Sequence, residues 1–346
     1  MSQNQIDEIE SRLDRGVLGY WYILAKASEV KSGTPTAVKA LGRDLVLWRG
    51  EDGKVRCLED YCPHRGARLS VGRQAGNTLA CRYHGVVLDG DGTIVSVPGM
   101  KECALEGRRP INSYHVQERS DAIFAYFPSA DAPTPSELVL PKELMGDGWS
   151  SFLCTAPWNT NYRYVLDNLS DLMHGIFLHA DTFTLGRGTT QDTVAVDRTT
   201  TGFIVKRVGQ QDTNLDWVEI VTEGAALHAR VLIPYPPAAG PGGPMYVMTF
   251  LTPVDDKNCR IFFFRTRAFK SAFEREAWRF QFRAKLESRA WDVLEQDRAM
   301  LEGMPKDARR REMLYQHDMG LTRLRQMLMK RVESEMRAED DARKVG

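Results

Sequence analysis

Two short stretches decide how this sequence folds: Cys62-Pro63-His64 and Cys81-Arg82-Tyr83-His84. Each offers one thiolate and one imidazole, and 16 residues separate the first pair from the second. Structural zinc sites usually pair cysteine with cysteine and histidine with histidine, whereas one type of [2Fe-2S] cluster takes two cysteines on one iron and two histidines on the other. Two loops that each carry one cysteine and one histidine favour the cluster over a zinc site.

The same loops match a signature at every fixed position. The signature of the Rieske oxygenases, C-x-H-R-G…C-x-x-H-G, is present at Cys62, His64, Arg65, Gly66, Cys81, His84 and Gly85. The sequence therefore resembles this family, and the resemblance implies that Cys62, His64, Cys81 and His84 hold a Rieske [2Fe-2S] cluster. Val86 stands where the family often has Trp, which affects packing beside the cluster rather than ligation.

Length and charge narrow the class of protein. The 346 residues are enough for one large or two ordinary domains with substantial cores, and we expect two. Lys plus Arg and Asp plus Glu number 46 each, so the formal net charge is zero and argues against nucleic acid or an anionic membrane surface as a partner.

Targeting signals and cysteine usage indicate a cytoplasmic protein. No apolar run approaches the roughly 20 residues that span a bilayer, and residues 1–16 form a charged helical pattern without a signal-peptide core. The four cysteines outside the cluster loops have no framework spacing, which favours buried thiols in a reducing compartment over disulfides. These are Cys57, Cys103, Cys154 and Cys259.

The chain divides into two predicted domains of an α+β protein. From residue 20 to about residue 127, short β-branched and aromatic runs alternate with turn signals, which predicts a small antiparallel β domain with both ligand pairs in loops. The Pro- and Ser-rich stretch 128–136 interrupts all periodicity. We therefore predict an N-terminal domain at 1–134 and a second domain at 135–346.

The second domain is predicted to combine an antiparallel sheet with long helices. Residues 158–179 begin irregularly and end in a helical pattern, and residues 192–267 alternate like several antiparallel strands. Within them, the Pro- and Gly-rich stretch 235–244 predicts an exposed or cavity-edge loop. Helical patterns follow over 271–303 and 321–343.

A second candidate metal site lies in the helical stretch of residues 167–179. His174 and His179 stand five residues apart beside acidic and amide side chains. On a regular helix such positions diverge by about 140°, which is not ideal for one face, but a helix that bulges or ends between them could still bring both rings to one ion. Taken alone, two histidines in an apolar helix are more often core residues.

This stretch also resembles a family motif. The pattern D-N-x-x-D-x-x-H-x-x-x-x-H of Rieske non-haem iron oxygenases is matched at Asp167, Asn168, Asp171, His174 and His179. The resemblance covers nearly the whole chain and implies a helix-grip catalytic domain. It makes His174 and His179 ligands of a mononuclear Fe(II), a metal that such enzymes bind through two histidines and one carboxylate.

The resemblance places the third ligand on the long helix after the sheet. Residues 296–302 resemble the E-D-x-x-x-x-E segment of the vanillate-demethylase-like branch, and we expect Asp297 to be the ligand. Other carboxylates nearby are Asp292, Glu295 and Glu302. Gln296 replaces the acidic residue that often precedes the ligand, and Met304 stands where relatives commonly have Gln, which can change the surroundings of the metal.

The resemblance also implies how the two centres cooperate. Asp171 would accept hydrogen bonds from His174 and from a cluster histidine, expected to be His84, of a neighbouring subunit in a homotrimeric ring. Asn168 would lie near the open side of the iron. No G-x-G-x-x-G motif opens a helix after a strand, so electrons are expected from a separate NAD(P)H-dependent reductase or ferredoxin.

Four further residues are candidates for substrate contact. Arg187 could anchor a carboxylate through its bidentate fork, although a solvent-exposed loop arginine is at least as common. Trp217, Tyr246 and Phe250 could line an aromatic pocket, although aromatic residues on alternating strands are more often core.

The resulting functional hypothesis is a Rieske monooxygenase. Chain length resembles the group of vanillate and dicamba O-demethylases and toluenesulfonate methyl-monooxygenase, which implies hydroxylation or O-demethylation of an aromatic carboxylate or sulfonate. The alternative enzyme is a ring cis-dihydroxylating dioxygenase with the same ligands. Rivals from other classes are a Rieske electron carrier without mononuclear iron and a zinc-stabilised binding protein.

Overall fold

A computed structural model describes residues 2–146, 148–182, 185–211, 213–222, 226–234, 244–305 and 307–345. The predicted loop at 235–244 lies outside the described residues except for Pro244. The predicted domain boundary at 134/135 falls in an extended segment between the last strand of the N-terminal part and the next helix, and it stays a prediction.

Residues 20–127 form the antiparallel β domain that the sequence predicts. A helix, α1 (Gln3–Arg15), precedes it and begins with a capping box between Ser2 and Gln5. The strands are β1 Tyr20–Lys26, β2 Thr36–Ala40, β3 Arg43–Arg49, β4 Val55–Glu59, β5 Arg73–Ala75, β6 Thr78–Ala80, β7 Val87–Leu88, β8 Ile94–Ser96, β9 Ser113–Tyr114, β10 Val116–Arg119 and β11 Ala122–Phe127. They form sheets in the orders β1-β11-β10, β2-β3-β4-β9 and β5-β6-β7-β8. Both Cys/His pairs lie in connections between these strands, as predicted.

The second part combines one antiparallel sheet with helices, which confirms the α+β class. Its elements are α2 Lys142–Met145, β12 Trp149–Trp158, α3 Tyr162–Leu169, α4 His174–Leu178, β13 Val194–Arg198, β14 Gly202–Arg207, β15 Trp217–Val221, β16 His228–Ile233, β17 Met245–Pro253, β18 Cys259–Ala268, α5 Ala272–Gln281, α6 Glu287–Glu302, α7 Ala308–Arg311 and α8 Met319–Val345. The sheet order is β12-β18-β17-β16-β15-β14-β13. The helix expected over 271–303 is divided by a π-helical turn at Phe282–Leu286.

The two faces of this sheet pack against different partners. One face contacts the helices: the ring of Phe263 on β18 lies 5.3 Å from the ring of Trp291 on α6. The other face contacts the N-terminal domain, where Phe250 and Phe264 form one buried cluster with Phe124 of β11. Because side chains alternate along a strand, neighbouring residues such as Phe263 and Phe264 of β18 belong to different clusters.

The longest helix, α8, joins the two ends of the chain. Arg12 of α1 forms ion pairs with Glu335 and Glu339 of α8 at 3.1 and 2.8 Å. On its buried side, Leu324 and Leu328 pack into the main core. None of the helices in the described part of the chain combines the length and apolar character needed to cross a membrane.

Candidate metal centres

The first centre lies at the tip of the N-terminal domain, where two tight turns face each other. In each turn a glycine amide donates to the carbonyl of the cysteine: Gly66 to Cys62 at 2.8 Å and Gly85 to Cys81 at 3.0 Å. Both glycines have positive φ, of 75° and 74°. Side chains with a Cβ rarely adopt this conformation, which explains why glycine closes each half of the signature.

The donor atoms of the two turns suit a cluster with unlike ends. The cysteines Cys62 and Cys81 are buried, whereas His64 and His84 are exposed and their ring centroids lie 4.6 Å apart. Burial, together with the adjacent Cys81 sulfur, raises the pKa of the Cys62 thiol to about 11. A cationic metal cluster is what converts such thiols to thiolates, so the residues fit a [2Fe-2S] group with a buried sulfur-bound end and an exposed histidine-bound end.

The second centre forms where the helical stretch breaks. Helix α3 ends at Leu169 and α4 begins at His174. Between them the Asp171 carboxylate accepts from the backbone N–H of Met173 at 2.7 Å, which holds the turn. His179 follows the end of α4 with φ −106° and ψ 25°. His174 is therefore the first residue of α4 and His179 follows its last, so the two histidines lie at opposite ends of one short helix.

Both histidines converge on one carboxylate of α6. The Nε2 atom lies 3.6 Å from Asp297 Oδ1 for His174 and 3.4 Å for His179. The three ligand atoms lie within 4.8 Å of one another, and the described residues contain no other such group of three His, Cys, Asp or Glu side chains. Atoms that ligate one ion at about 2.1 Å are necessarily within about 4.2 Å of each other, so a small inward movement suffices.

The remaining ring nitrogens are held by neutral acceptors. Nδ1 of His174 donates to the backbone carbonyl of Asp171 at 2.8 Å, and Nδ1 of His179 donates to Oε1 of Gln296 at 2.7 Å. Each Nε2 is therefore left with its lone pair towards Asp297. Burial disfavours the charged form of His179, but the Asp297 carboxylate outweighs it and raises the pKa of this histidine in the metal-free site.

The other carboxylates of α6 point elsewhere. Glu295 is exposed and pairs with Arg298 at 2.8 Å, and Asp292 is also exposed. Glu302 accepts from the backbone N–H of Asn159 at 2.7 Å. Only Asp297 among the four predicted candidates lies with the histidines.

The neighbours predicted around the metal take different positions. Asn168 donates to Asp297 Oδ1 at 3.3 Å, so its amide lies beside the three ligands. The Asp171 carboxylate was expected to accept a hydrogen bond from His174. In the structure Nδ1 of His174 instead donates to the backbone carbonyl of Asp171, and the nearest carboxylate oxygen lies 3.8 Å from Nδ1. The reason is that the other carboxylate oxygen caps the turn.

The first residue of the motif, Asp167, has a structural role that the sequence analysis missed. Its carboxylate accepts from Arg325 of α8 at 2.7 Å and also pairs with Arg309 of α7. Both arginines lie more than 140 residues away along the chain, so no local sequence pattern could predict the contact. The network holds α3, and with it Asn168, against the C-terminal helices.

The aromatic residues predicted to line a pocket do not converge with the histidines. Trp217, Tyr246 and Phe250 lie on the sheet face opposite to α6. Trp217 and Tyr246 lie against the Arg230 guanidinium, at 5.4 and 4.5 Å, and Phe250 stacks on His228 at 4.7 Å. Alternation shows that residues share a face, but not which face meets the helices, and contact of these three residues with a substrate stays a prediction.

Arg187 lies on an exposed segment after α4. Its backbone carbonyl accepts from Nδ2 of Asn214 at 2.7 Å. The side chain is exposed, and its role as a substrate anchor stays a prediction.

Comparison with known proteins assigns both parts of the chain. Residues 20–115 match the Rieske [2Fe-2S] domain, and residues 158–334, more than half of the chain, match the vanillate O-demethylase oxygenase C-terminal domain. A probable 3-ketosteroid-9-alpha-monooxygenase oxygenase component of Rhodococcus rhodochrous is 31% identical over 167 residues, which are 46% of this chain and 40% of that protein. A vanillate O-demethylase oxygenase subunit of a Pseudomonas species is 31% identical over 166 residues, 46% of this chain and 44% of that subunit. The matched region thus spans less than half the length of these relatives.

Solved structures share the fold over almost the whole chain. The terminal oxygenase of carbazole 1,9a-dioxygenase from Nocardioides aromaticivorans IC177 has a TM-score of 0.77 and 19% identity, and the match covers 94% of this chain and 97% of that one. An oxygenase and ferredoxin complex of carbazole 1,9a-dioxygenase gives a TM-score of 0.73 at 20% identity, with 92% and 91% covered. At such identities the likeness establishes the two-domain fold.

Proposed function

The chain belongs to the family in which a Rieske [2Fe-2S] domain precedes a vanillate O-demethylase oxygenase C-terminal domain, and we propose that it is the terminal component of a monooxygenase. The proposed reaction uses O₂ and electrons from a separate carrier to hydroxylate or O-demethylate a small aromatic substrate. We propose a carboxylate or sulfonate on that substrate and a cytoplasmic location for the enzyme.

The observation that carries this proposal is the convergence of His174, His179 and Asp297. Two imidazoles and one carboxylate are the ligand set of non-haem iron oxygenases, which leaves further coordination positions for the reactants. A Rieske electron carrier would need no such site. The triad and Asn168 therefore favour an oxygenase over a protein that only transfers electrons.

The metal groups supply the redox chemistry: when bound, the cluster provides one electron at a time and the mononuclear Fe(II) provides the place where O₂ is reduced. The protein supplies position. Exposed His64 and His84 put the cluster end at the surface of its domain, where an electron carrier or a second subunit can approach. The ferredoxin complex of a structural relative is consistent with such a carrier.

We propose that His84 meets Asp171 of a neighbouring subunit. One oxygen of the Asp171 carboxylate caps the turn before α4, while the side chain as a whole is 29% exposed. The backbone carbonyl of Asp171 accepts from Nδ1 of His174, a proposed iron ligand. A cluster histidine bound to the Asp171 carboxylate would therefore be linked to that ligand through a single residue. The contact between His84 of one subunit and Asp171 of the next is heterologous, and we propose that it closes into a ring of three identical subunits.

We propose that an aromatic ring binds on the helix side of the sheet, close to the triad. Val218 and Ile220 of β15 and Val205 of β14 belong to the buried apolar core on that side. We propose that Arg187 provides the charge complement for an acidic group on the substrate.

Product analysis tests this function. The iron-replete protein would be incubated with a surrogate reductase, NADH and a panel of aromatic carboxylates, sulfonates, their methyl or methoxy derivatives and a 3-ketosteroid. We expect a demethylated or hydroxymethyl aromatic product, and none from the His174→Ala variant. A ring cis-diol product would contradict the monooxygenase hypothesis and support the dioxygenase. Turnover of the steroid alone would refute the proposed preference for aromatic substrates.

A further inference from the structure

Gln296 makes a specific contact with one of the proposed iron ligands. It precedes Asp297 on α6, and its Oε1 atom lies 2.7 Å from Nδ1 of His179. A carbonyl oxygen can only accept, so Nδ1 carries the proton. A neutral imidazole has one N–H, and Nε2 therefore keeps its lone pair, 3.4 Å from Asp297 Oδ1.

The two histidines reach the same tautomer by different means. His174 donates to a main-chain carbonyl, that of Asp171, which no substitution removes. His179 depends on one side chain. Because Gln296 and Asp297 are consecutive on α6, a single helix supplies both the carboxylate of the site and the acceptor that turns the His179 ring towards it.

The acceptor is also neutral. A carboxylate in this position would polarise the imidazole and increase its basicity, whereas an amide fixes orientation without adding a second negative charge. The site then contains one carboxylate, Asp297, against a divalent cation. The histidine is held in place, and the charge of the ligand set is left unchanged.

We propose that Gln296 is a positioning residue of the metal site, which selects the Nε2 atom of His179 for ligation through a neutral acceptor. The inference rests on the proposed function, since it presupposes a metal at the triad.

Metal binding tests the proposal without any substrate. Co(II) would be titrated into the full-length protein after removal of the mononuclear metal, with the cluster retained, and followed by its visible absorption. Gln296→Leu should bind Co(II) about 10–100-fold more weakly than the unsubstituted protein, because loss of a ligand's hydrogen-bond partner has effects of this size. Gln296→Glu restores an acceptor and should restore the affinity and the Co(II) band.

A control variant and two contrary results complete the test. Glu295→Gln changes the preceding residue, which pairs with Arg298 on the exposed side of α6, and should bind as the unsubstituted protein does. Circular dichroism establishes that each variant is folded. Equal Co(II) affinity in Gln296→Leu, or no recovery in Gln296→Glu, overturns the positioning role. Failure of the unsubstituted protein to bind Co(II) overturns the metal site itself.

Discussion

We expect buried His228 to make the stability of the protein sensitive to acid. The side chain is 3% exposed on β16, donates from Nδ1 to the carbonyl of Ala226 at 2.8 Å and stacks on Phe250. Within the described residues, its Nε2 has no hydrogen-bond partner. Burial lowers the pKa of His228 to about 4.

The sign of the pH effect follows from comparison with the unfolded chain. An unfolded histidine takes up a proton as the pH falls through about 6.5, whereas folded His228 stays neutral until about pH 4. The contribution of neutral His228 to the free energy of unfolding is therefore fully present above pH 6.5 and is lost as the pH falls from 6.5 to 4. The full shift corresponds to about 3 kcal/mol at most, of which about 2 kcal/mol is lost between pH 7 and pH 5.

The test compares His228→Asn with the unsubstituted protein. Asparagine can keep the bond to the Ala226 carbonyl but does not titrate. Urea unfolding at pH 7 and pH 5, followed by tryptophan fluorescence, should show that the variant gains about 2 kcal/mol relative to the unsubstituted protein at the lower pH. Parallel pH dependence of the two proteins would refute the reasoning.

Three other substitutions separate the roles of individual residues. Asp297→Ala should weaken binding of the mononuclear metal by about 100-fold or more while the cluster spectrum is kept, as measured by metal titration beside an exposed control, Asp292→Asn; equal losses in both variants would contradict the assignment. Phe250→Ala should cost about 3–5 kcal/mol in urea unfolding without changing KM, because the ring lies in the contact between the domains, and a raised KM at full stability would place it in the pocket after all. Asp171→Asn should keep both metals but slow re-oxidation of the reduced cluster by about tenfold or more in stopped-flow measurements, and an unchanged rate would exclude the proposed path between subunits.

Local chemistry made the metal-binding loops accessible to sequence analysis. The Cys/His pairs near residues 62 and 81 identify their cluster because the ligands and the turn glycines are close together in sequence. His174 and His179 were also recognised, although only the structure shows that both rings, at the two ends of α4, meet the same carboxylate of Asp297. Asp297 required the resemblance, since about 120 residues separate it from the histidines and other acidic residues surround it.

Contacts across the fold were less accessible. Trp217 and Tyr246 belong to strands whose two faces are both partly apolar, so the pattern could not say which face meets the helices. The pairing of Asp167 with Arg325 depends on how α8 returns to α3. Gln296 was noticed as a departure from related sequences, but its contact with His179 depends on the rotation of α6.

The most direct test of the account is a single turnover under ¹⁸O₂ with the substrate identified by product analysis. The reduced protein should place one ¹⁸O atom in the hydroxymethyl product, or in trapped formaldehyde after demethylation, and His174→Ala should form no product while its cluster spectrum is unchanged. Full activity in His174→Ala, or two ¹⁸O atoms in one product, would contradict a monooxygenase that works through the triad of His174, His179 and Asp297.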